Sequence, residues 1–123
     1  MEICAEKRSL RISPKKIGFV ATAIRGLRPE EAAAKLKFLR KSAARVLASL
    51  INQALANARS NPKVKGKEFT LKRIDIGEGP RLKRMDKSHG ARFDRGIIQK
   101  RTSMIRVVLE EIAAKEEKNG TEN

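Results

Sequence analysis

The residues with the clearest chemistry in this sequence are cationic. Between Arg81 and Arg106 stand Arg81, Lys83, Arg84, Lys87, Arg92, Arg95, Lys100, Arg101 and Arg106, opposed only by Asp86 and Asp94. Lysine and arginine neutralise phosphates and release their counterions, and arginine also binds bidentately or stacks on an exposed base. The whole chain has the same bias. Its 123 residues carry 29 Lys+Arg against 14 Asp+Glu, a formal charge of +15 that exceeds what solubility requires and implies a polyanionic partner. Nucleic acid is the first candidate and an anionic membrane the second, but no apolar run approaches the ~20 residues of a membrane span.

Catalytic chemistry finds no comparable set. Glu30 with Glu31 and Glu116 with Glu117 are adjacent pairs whose side chains diverge on a helix, and helix-dipole or solvation roles explain both. His89, the one histidine, has no Ser, Cys or Asp partner in a triad-like order. One cysteine excludes an internal disulfide, and with one histidine it leaves no zinc cluster. Cys4, on a short strand, reads as a small core residue rather than a nucleophile. These residues predict no enzyme, no metal and no cofactor. "MEICAEKRSLRIS" has no apolar signal core, which predicts a cytosol-like compartment.

The elements that must position the cations follow from periodicity. Alternation in "EICAEKRSLRIS" puts Ile3 and Ala5 on one side of a first strand and Cys4 and Glu6 on the other. Ser13, a good N-cap through its hydroxyl, and Pro14 start a helix to about Arg25 with the stripe Ile17, Val20, Ala21 and Ile24, closed by Gly26. Pro29, Glu30 and Glu31 open a short second helix with Ala32, Leu36 and Leu39 on its buried side. Ser42 begins a third, in which Ala43, Val46, Leu47, Leu50, Ile51, Ala54, Leu55 and Ala58 form a broad apolar face before Asn61 and Pro62 stop it. With so few aromatics the core is aliphatic, and the alanines allow close helix approach.

"NPKVKGK" then reads as a basic loop. Phe69, Leu71, Ile74 and Ile76 give β-structure with a break near Lys72, a bulge. A strand returns from Ile97 to Leu109, with Ile105, Val107 and Leu109 on one face and Met104, Arg106 and Val108 on the other. Size predicts one domain, residues 1–111, with a polar tail over 112–123 that frays. The basic stretch between the two β segments, about 81–101, lacks a continuous apolar face, and a lone two-stranded ribbon is marginal in water. The bland reading is a solvated charged loop. Apolar β pattern on both flanks argues instead for a hairpin that projects, with Gly90 and Gly96 freeing its tip, and is ordered by what it touches.

At this point the sequence resembles a known family. "SPKK" followed by "IRG", "ALANARSN" closing the long helix, "GEGPRLKR" and "KRTSMIRVVLEE" occur in the order and close to the spacing of the universal large-subunit ribosomal protein family twenty-two, from about Ala5 to Glu111. The resemblance implies an α+β fold of three helices packed on a small antiparallel sheet, with a long protruding basic β-hairpin that reaches into ribosomal RNA. It implies a structural protein of the large subunit in the cytoplasm. Its partners would be large-subunit ribosomal RNA, neighbouring ribosomal proteins and the nascent polypeptide passing the hairpin tip in the exit tunnel.

Carried over residue by residue, the resemblance gives RNA-binding roles to Lys15 and Lys16, to Asn57 and Asn61, to Arg81, Lys83 and Arg84, and to Lys100, Arg101, Thr102 and Ser103. Lys87, Arg92 and Arg95 belong to the same cationic arm. Ser88, His89, Gly90, Ala91, Arg92 and Phe93 would form the tunnel-lining tip. There the chain reads "MDKSHGARFDRG" where the family has an arginine-rich stretch with proline. His89 and Phe93 offer either stacking faces for bases or incidental apolar contacts. Such an arm recognises folded RNA through backbone, 2′-hydroxyls and unstacked bases rather than sequence. The main rival is an architectural DNA-binding protein with basic β-arms, which would wedge an apolar residue between base steps. A membrane-surface protein ranks below it, since the third helix carries no Trp or Tyr anchor.

Overall fold

The computed structural model describes residues 1–88 and 96–112. Three helices pack on a three-stranded antiparallel sheet, so the fold is α+β. Strand β1 (Glu2–Leu10) leads into α1 (Pro14–Ile24), α2 (Pro29–Phe38) and α3 (Ser42–Ser60), and the chain returns through β2 (Phe69–Glu78), β3 (Leu82–Met85), β4 (Ile97–Lys100) and β5 (Ser103–Glu111). The sheet order is β1-β5-β2, while β3 and β4 form a two-stranded ladder of their own. The polar tail expected to fray lies, from residue 113 onward, outside the described residues.

The helices form where the apolar spacing demands them. Ile17, Val20, Ala21 and Ile24 are all buried, and Gly26 takes φ 76° just past the end of α1, a conformation glycine adopts without strain. Ser13 occupies the N-cap position of α1, but its hydroxyl makes no capping bond. Its backbone oxygen instead accepts from the amides of Lys16 and Ile17 at 3.1 and 3.3 Å. In α3, Leu47, Leu50, Ile51 and Ala54 are almost fully buried against the inner sheet face of Ala5, Ile105, Val107 and Leu109, one aliphatic cluster. The "NPKVKGK" loop is less open than its composition suggests. Val64 is buried with Ile3 and Ala58, and the Asn61 side chain accepts from the Lys63 amide at 3.1 Å.

The expected bulge sits between Leu71 and Arg73, where the β2–β5 register shifts by one residue. Beyond the sheet, the strand expected to run unbroken from Ile97 to Leu109 is two strands, interrupted at Arg101 and Thr102. The β2–β5 ladder ends at Glu78 opposite Ser103, and the β3–β4 ladder starts at Leu82 opposite Lys100. Three residues on one side therefore face two on the other, a second bulge at the root of the arm. Bulges of this kind bend a strand and increase its twist, which lets a hairpin leave the plane of its parent sheet.

Cys4 corrects the expectation of a small core residue. Alternation puts it on the outer sheet face opposite Val108, and it is exposed. Val108 is its partner across the ladder. It shares that outer face yet is only 2% exposed, and the aliphatic stems of the long charged residues around it can supply the cover.

Candidate nucleic-acid interface

The root of the arm is built from close backbone approach. The Gly79 amide donates to the Thr102 carbonyl at 2.9 Å, and the Thr102 hydroxyl donates to the Pro80 carbonyl at 2.6 Å. A Cβ at Gly79 would overlap Thr102 Oγ1, so the strands meet this closely only because residue 79 has no side chain. Arg81 closes the next layer. Its guanidinium donates to Glu78 Oε2 at 2.7 Å and to Gln99 Oε1 at 3.2 Å. From the body, Arg11 donates to the Arg101 carbonyl at 3.0 Å. Further out, the Asp86 amide donates to the Gly96 carbonyl at 2.8 Å, so pairing continues past Met85.

From this root the ladder presents its side chains to solvent. Every residue of β3 is exposed, and in β4 Ile98 and Lys100 are half-buried. Opposed residues share a face, so Leu82, Lys100, Arg84 and Ile98 lie on one side and Lys83, Gln99, Met85 and Ile97 on the other. Cations and exposed apolar side chains thus alternate on both faces, with Leu82 and Ile97 more than 60% exposed. Lys83, Arg84, Lys87 and Arg101 are exposed with no ion pair among the described residues. Asp86 is turned inward on its own chain: the Ser88 hydrogen bonds, led by its side chain, hold the carboxyl below its ordinary value. Lys87 and Ser88 belong to the described arm, whereas His89, Gly90, Ala91, Arg92, Phe93 and Arg95 lie outside the described residues.

The other sequence-predicted residues divide into free and committed groups. Lys15 and Lys16 are exposed in the first turn of α1. Asn57 donates to the Cys4 carbonyl at 3.3 Å and ties α3 to β1, while Asn61 serves its own turn. Thr102 and Ser103 are buried, 7% and 0% exposed. The Thr102 hydroxyl is committed to Pro80, and the Ser103 hydroxyl has no hydrogen-bond partner among the described residues. Neither side chain offers a face to a macromolecule. Sequence reading missed Arg11 and Gln99, whose roles in fixing the arm exist only because the fold brings residues 90 and 18 positions apart together.

Carboxylates are concentrated on the outer face of the sheet, where they neutralise the cations around them. Lys72 bridges Glu2 and Glu110 at 2.6 and 2.9 Å, Arg106 binds Glu6 at 2.8 Å, and Arg73 binds Asp75 at 3.2 Å. Hydrogen bonds from Arg106 first and Arg8 next hold the Glu6 carboxyl below its ordinary value, and Lys72 does the same for Glu2. The positive excess is left to the helical side of the body and to the arm, where Lys15, Lys16, Lys63, Lys65 and Lys83 are exposed and make no ion pair among the described residues.

The sequence profile of the family described as Ribosomal protein L22p/L17e matches residues 5–110. The chain belongs to that family. It is similar to the large ribosomal subunit protein uL22 of Methylacidiphilum infernorum, 38% identical over 111 residues that make up 90% of this chain and 96% of that one. It is 38% identical over 114 residues to the protein of the same name from Clostridium perfringens, covering 92% of this chain and all of the relative. The one from Mycoplasma capricolum is 39% identical over 110 residues, 89% of this chain and 96% of that one. The arm and its root fall inside the L22p/L17e match, whereas the last thirteen residues fall outside it. Among the described residues, no helix is long and apolar enough to cross a membrane, and no cluster of His, Cys, Asp or Glu could hold a metal ion.

Proposed function

We propose that this protein binds and helps to assemble large-subunit ribosomal RNA, as a structural and non-catalytic component of the large ribosomal subunit in the cytoplasm. Its β-hairpin lines the nascent-peptide exit tunnel. The observation that carries the reading is the two-stranded arm, rigidly rooted at Gly79, Pro80 and Thr102, that shows unpaired cations and bare apolar side chains on both faces. A ribbon of this kind has no core of its own and is stable against a partner that is both anionic and able to cover apolar surface. Folded RNA is such a partner, with phosphates for Lys83, Arg84, Lys87 and Arg101 and unstacked bases or sugars for Leu82 and Ile97. Family membership supports the same partner.

The residues assigned to RNA are Lys15, Lys16, Lys83, Arg84, Lys87, Lys100 and Arg101, together with Arg92 and Arg95 of the tip. Arg81, Thr102 and Asn57 hold the protein's own framework first, and their contribution to RNA is to aim the others. The residues from Ser88 to Phe93 are the segment that faces the nascent chain. Neighbouring large-subunit proteins are the remaining partners. Sedimentation tests the reading: the protein should travel with large subunits at moderate salt and prefer folded ribosomal RNA to duplex DNA in competition. Free protein at the top of the gradient, or equal competition by duplex DNA, would sink it.

A further inference from the structure

The body sheet has two outer edges, and the fold treats them differently. Both ladders are antiparallel, so residues whose backbone groups turn toward β5 alternate with residues whose groups turn away. The Glu111 amide donates to the Met1 carbonyl, which makes the odd residues of β1 the bonded set and leaves Glu2, Cys4 and Glu6 facing outward. There α3 intervenes. Asn57 donates its side-chain amide to the Cys4 carbonyl at 3.3 Å, and the register breaks before Leu10, where Ser9 takes φ 56°. The β1 edge is covered and broken.

The β2 edge is open. Because the Gly79 amide donates to the Thr102 carbonyl, the register turns the backbone groups of Gly77, Asp75 and Arg73 toward β5 and those of Ile74, Ile76 and Glu78 outward. Among the described residues no other element bonds to these outward amides and carbonyls. Edge strands are templates for a further strand, and proteins blunt them with bulges and prolines. Here the bulge between Leu71 and Arg73 and the proline at residue 80 bound the stretch, and between Ile74 and Glu78 there is neither. Beside the edge lies an open cleft of about 340 Å³, with Arg25 and Gly26 at the end of α1 on one side and β2 from Leu71 to Asp75 on the other. No side chain projects from Gly26, and the space one would take is empty of other atoms. Ile74 lines the cleft and Ile76 is half-buried, so every second side chain of an added strand would meet apolar surface.

Charge selects the occupant. Asp75 is paired with Arg73 at 3.2 Å, Glu78 with Arg81 at 2.7 Å, and Lys72 with Glu2 and Glu110. Arg25 is left, exposed and without an ion pair among the described residues, on a chain whose formal charge is +15. A second copy of the chain would bring the same large positive charge to this edge and is repelled. We infer that the edge from Ile74 to Glu78 is a docking site for an acidic, extended segment of a partner protein, which joins the sheet as a fourth strand beside β2. Main-chain hydrogen bonds at Ile74, Ile76 and Glu78 supply the affinity, the cleft takes side chains from one face of the segment, and Arg25 meets a carboxylate. The site shares no residue with the set assigned to RNA, so the two surfaces can be occupied together.

The test uses the full chain and a terminally blocked peptide of about nine residues in which glutamate and valine alternate, long enough for one strand. Amide hydrogen exchange is followed by NMR. Two further peptides serve as controls: one of the same charge with proline in place of the valines, which cannot pair as a strand, and one in which lysine replaces glutamate. The glutamate–valine peptide should slow exchange of the Ile74, Ile76 and Glu78 amides about ten-fold, and neither control should do so. Arg25→Glu should weaken binding of that peptide about three-fold or more. Unchanged exchange at the three amides under saturating peptide overturns the site. Equal protection by the proline peptide overturns strand addition, and equal protection by the lysine peptide or an unchanged affinity in Arg25→Glu overturns the acidic partner. Protection that rises with protein concentration in the absence of peptide assigns the edge to a second copy and overturns the inference. Protection by ribosomal RNA but not by the peptide overturns a protein partner and leaves the arm's RNA-binding role standing.

Discussion

Thr102 donates its hydroxyl to the carbonyl of Pro80 at 2.6 Å, across the point where the body sheet ends and the arm begins. The same residue accepts from the Gly79 amide, so one side chain and one carbonyl lock the two strands at the bulge. Thr102 is only 7% exposed, so the bond is not easily replaced by water. Thr102→Val keeps the shape and removes the donor, which should cost about 1 kcal/mol of stability. Gly79→Ala places a methyl group against Thr102 and should cost more, about 1 to 3 kcal/mol, because the backbone must separate. Chemical denaturation measures both. If Thr102→Val proves neutral and Gly79→Ala stabilising, the root is looser than its geometry indicates.

Body and arm should fail differently. Leu50 is 1% exposed in the centre of α3, and Leu50→Asp would bury an unpaired carboxylate at a cost of several kcal/mol, enough to unfold a small domain. Arg84 is exposed, and Arg84→Ala should leave the melting temperature within about 2 °C of the wild type while weakening RNA binding. Equal destabilisation by the two substitutions would show that the arm is part of the core.

Acid should act through the ion-paired carboxyls of the sheet. Glu2, Glu6 and Glu111 are all held below their ordinary 4.5, by Lys72, by Arg106 with Arg8, and by Lys67 respectively. A carboxyl whose value is lower in the folded than in the unfolded chain contributes stability above the unfolded value, and loses it as pH falls through the folded one. Melting temperature should therefore decline from about pH 4.5 downward, more steeply at low salt because these exposed pairs are screened. Glu6→Gln removes the partner of two arginines and should flatten that decline. An acid profile unaltered by Glu6→Gln would place the acid sensitivity elsewhere.

The parts legible in the sequence are those governed by local periodicity. The stripe from Ile17 to Ile24, the nineteen-residue α3 and the bulge beside Lys72 all follow from spacing and cap residues, and all three are present. What escaped depends on contacts distant in sequence. The break at Arg101 and Thr102 has no signal in "QKRTSMIRV" because the residues it faces, Gly79, Pro80 and Arg81, lie on the other strand. Val64 sits in a polar loop yet packs with Ile3 and Ala58, and Cys4, expected in the core, is exposed on the outer face where Val108 is buried, because neighbouring side chains decide the cover of such a face. Among the candidate site residues, the types were legible and their availability was not. Arg81 and Lys83 look alike in "GPRLKR", and only the fold commits the first to Glu78 and Gln99 and leaves the second open.

Anchoring and lining should separate along the arm. Deleting residues 87–94 removes Lys87 and Arg92 together with Asp94, a net loss of one positive charge, and leaves the root contacts of Gly79, Arg81 and Thr102 intact. Assembly should survive that deletion, because the charge that holds RNA stays in place on the paired strands and on the body. Neutralising Lys83, Arg84, Lys100 and Arg101 removes four charges from the rooted ladder and should flatten the salt dependence of RNA binding by roughly 3. Ribosomes that carry the tip deletion should form yet respond abnormally to tunnel-sensing peptides or tunnel-blocking drugs, which ribosome profiling and drug-sensitivity assays detect. The reverse pattern is equally measurable: subunits that reject the tip-deleted protein but accept the neutralised ladder. In that case the far end of the arm, not its root, holds the protein on the RNA, and the clasp at Thr102 would serve only to deliver that end to its site.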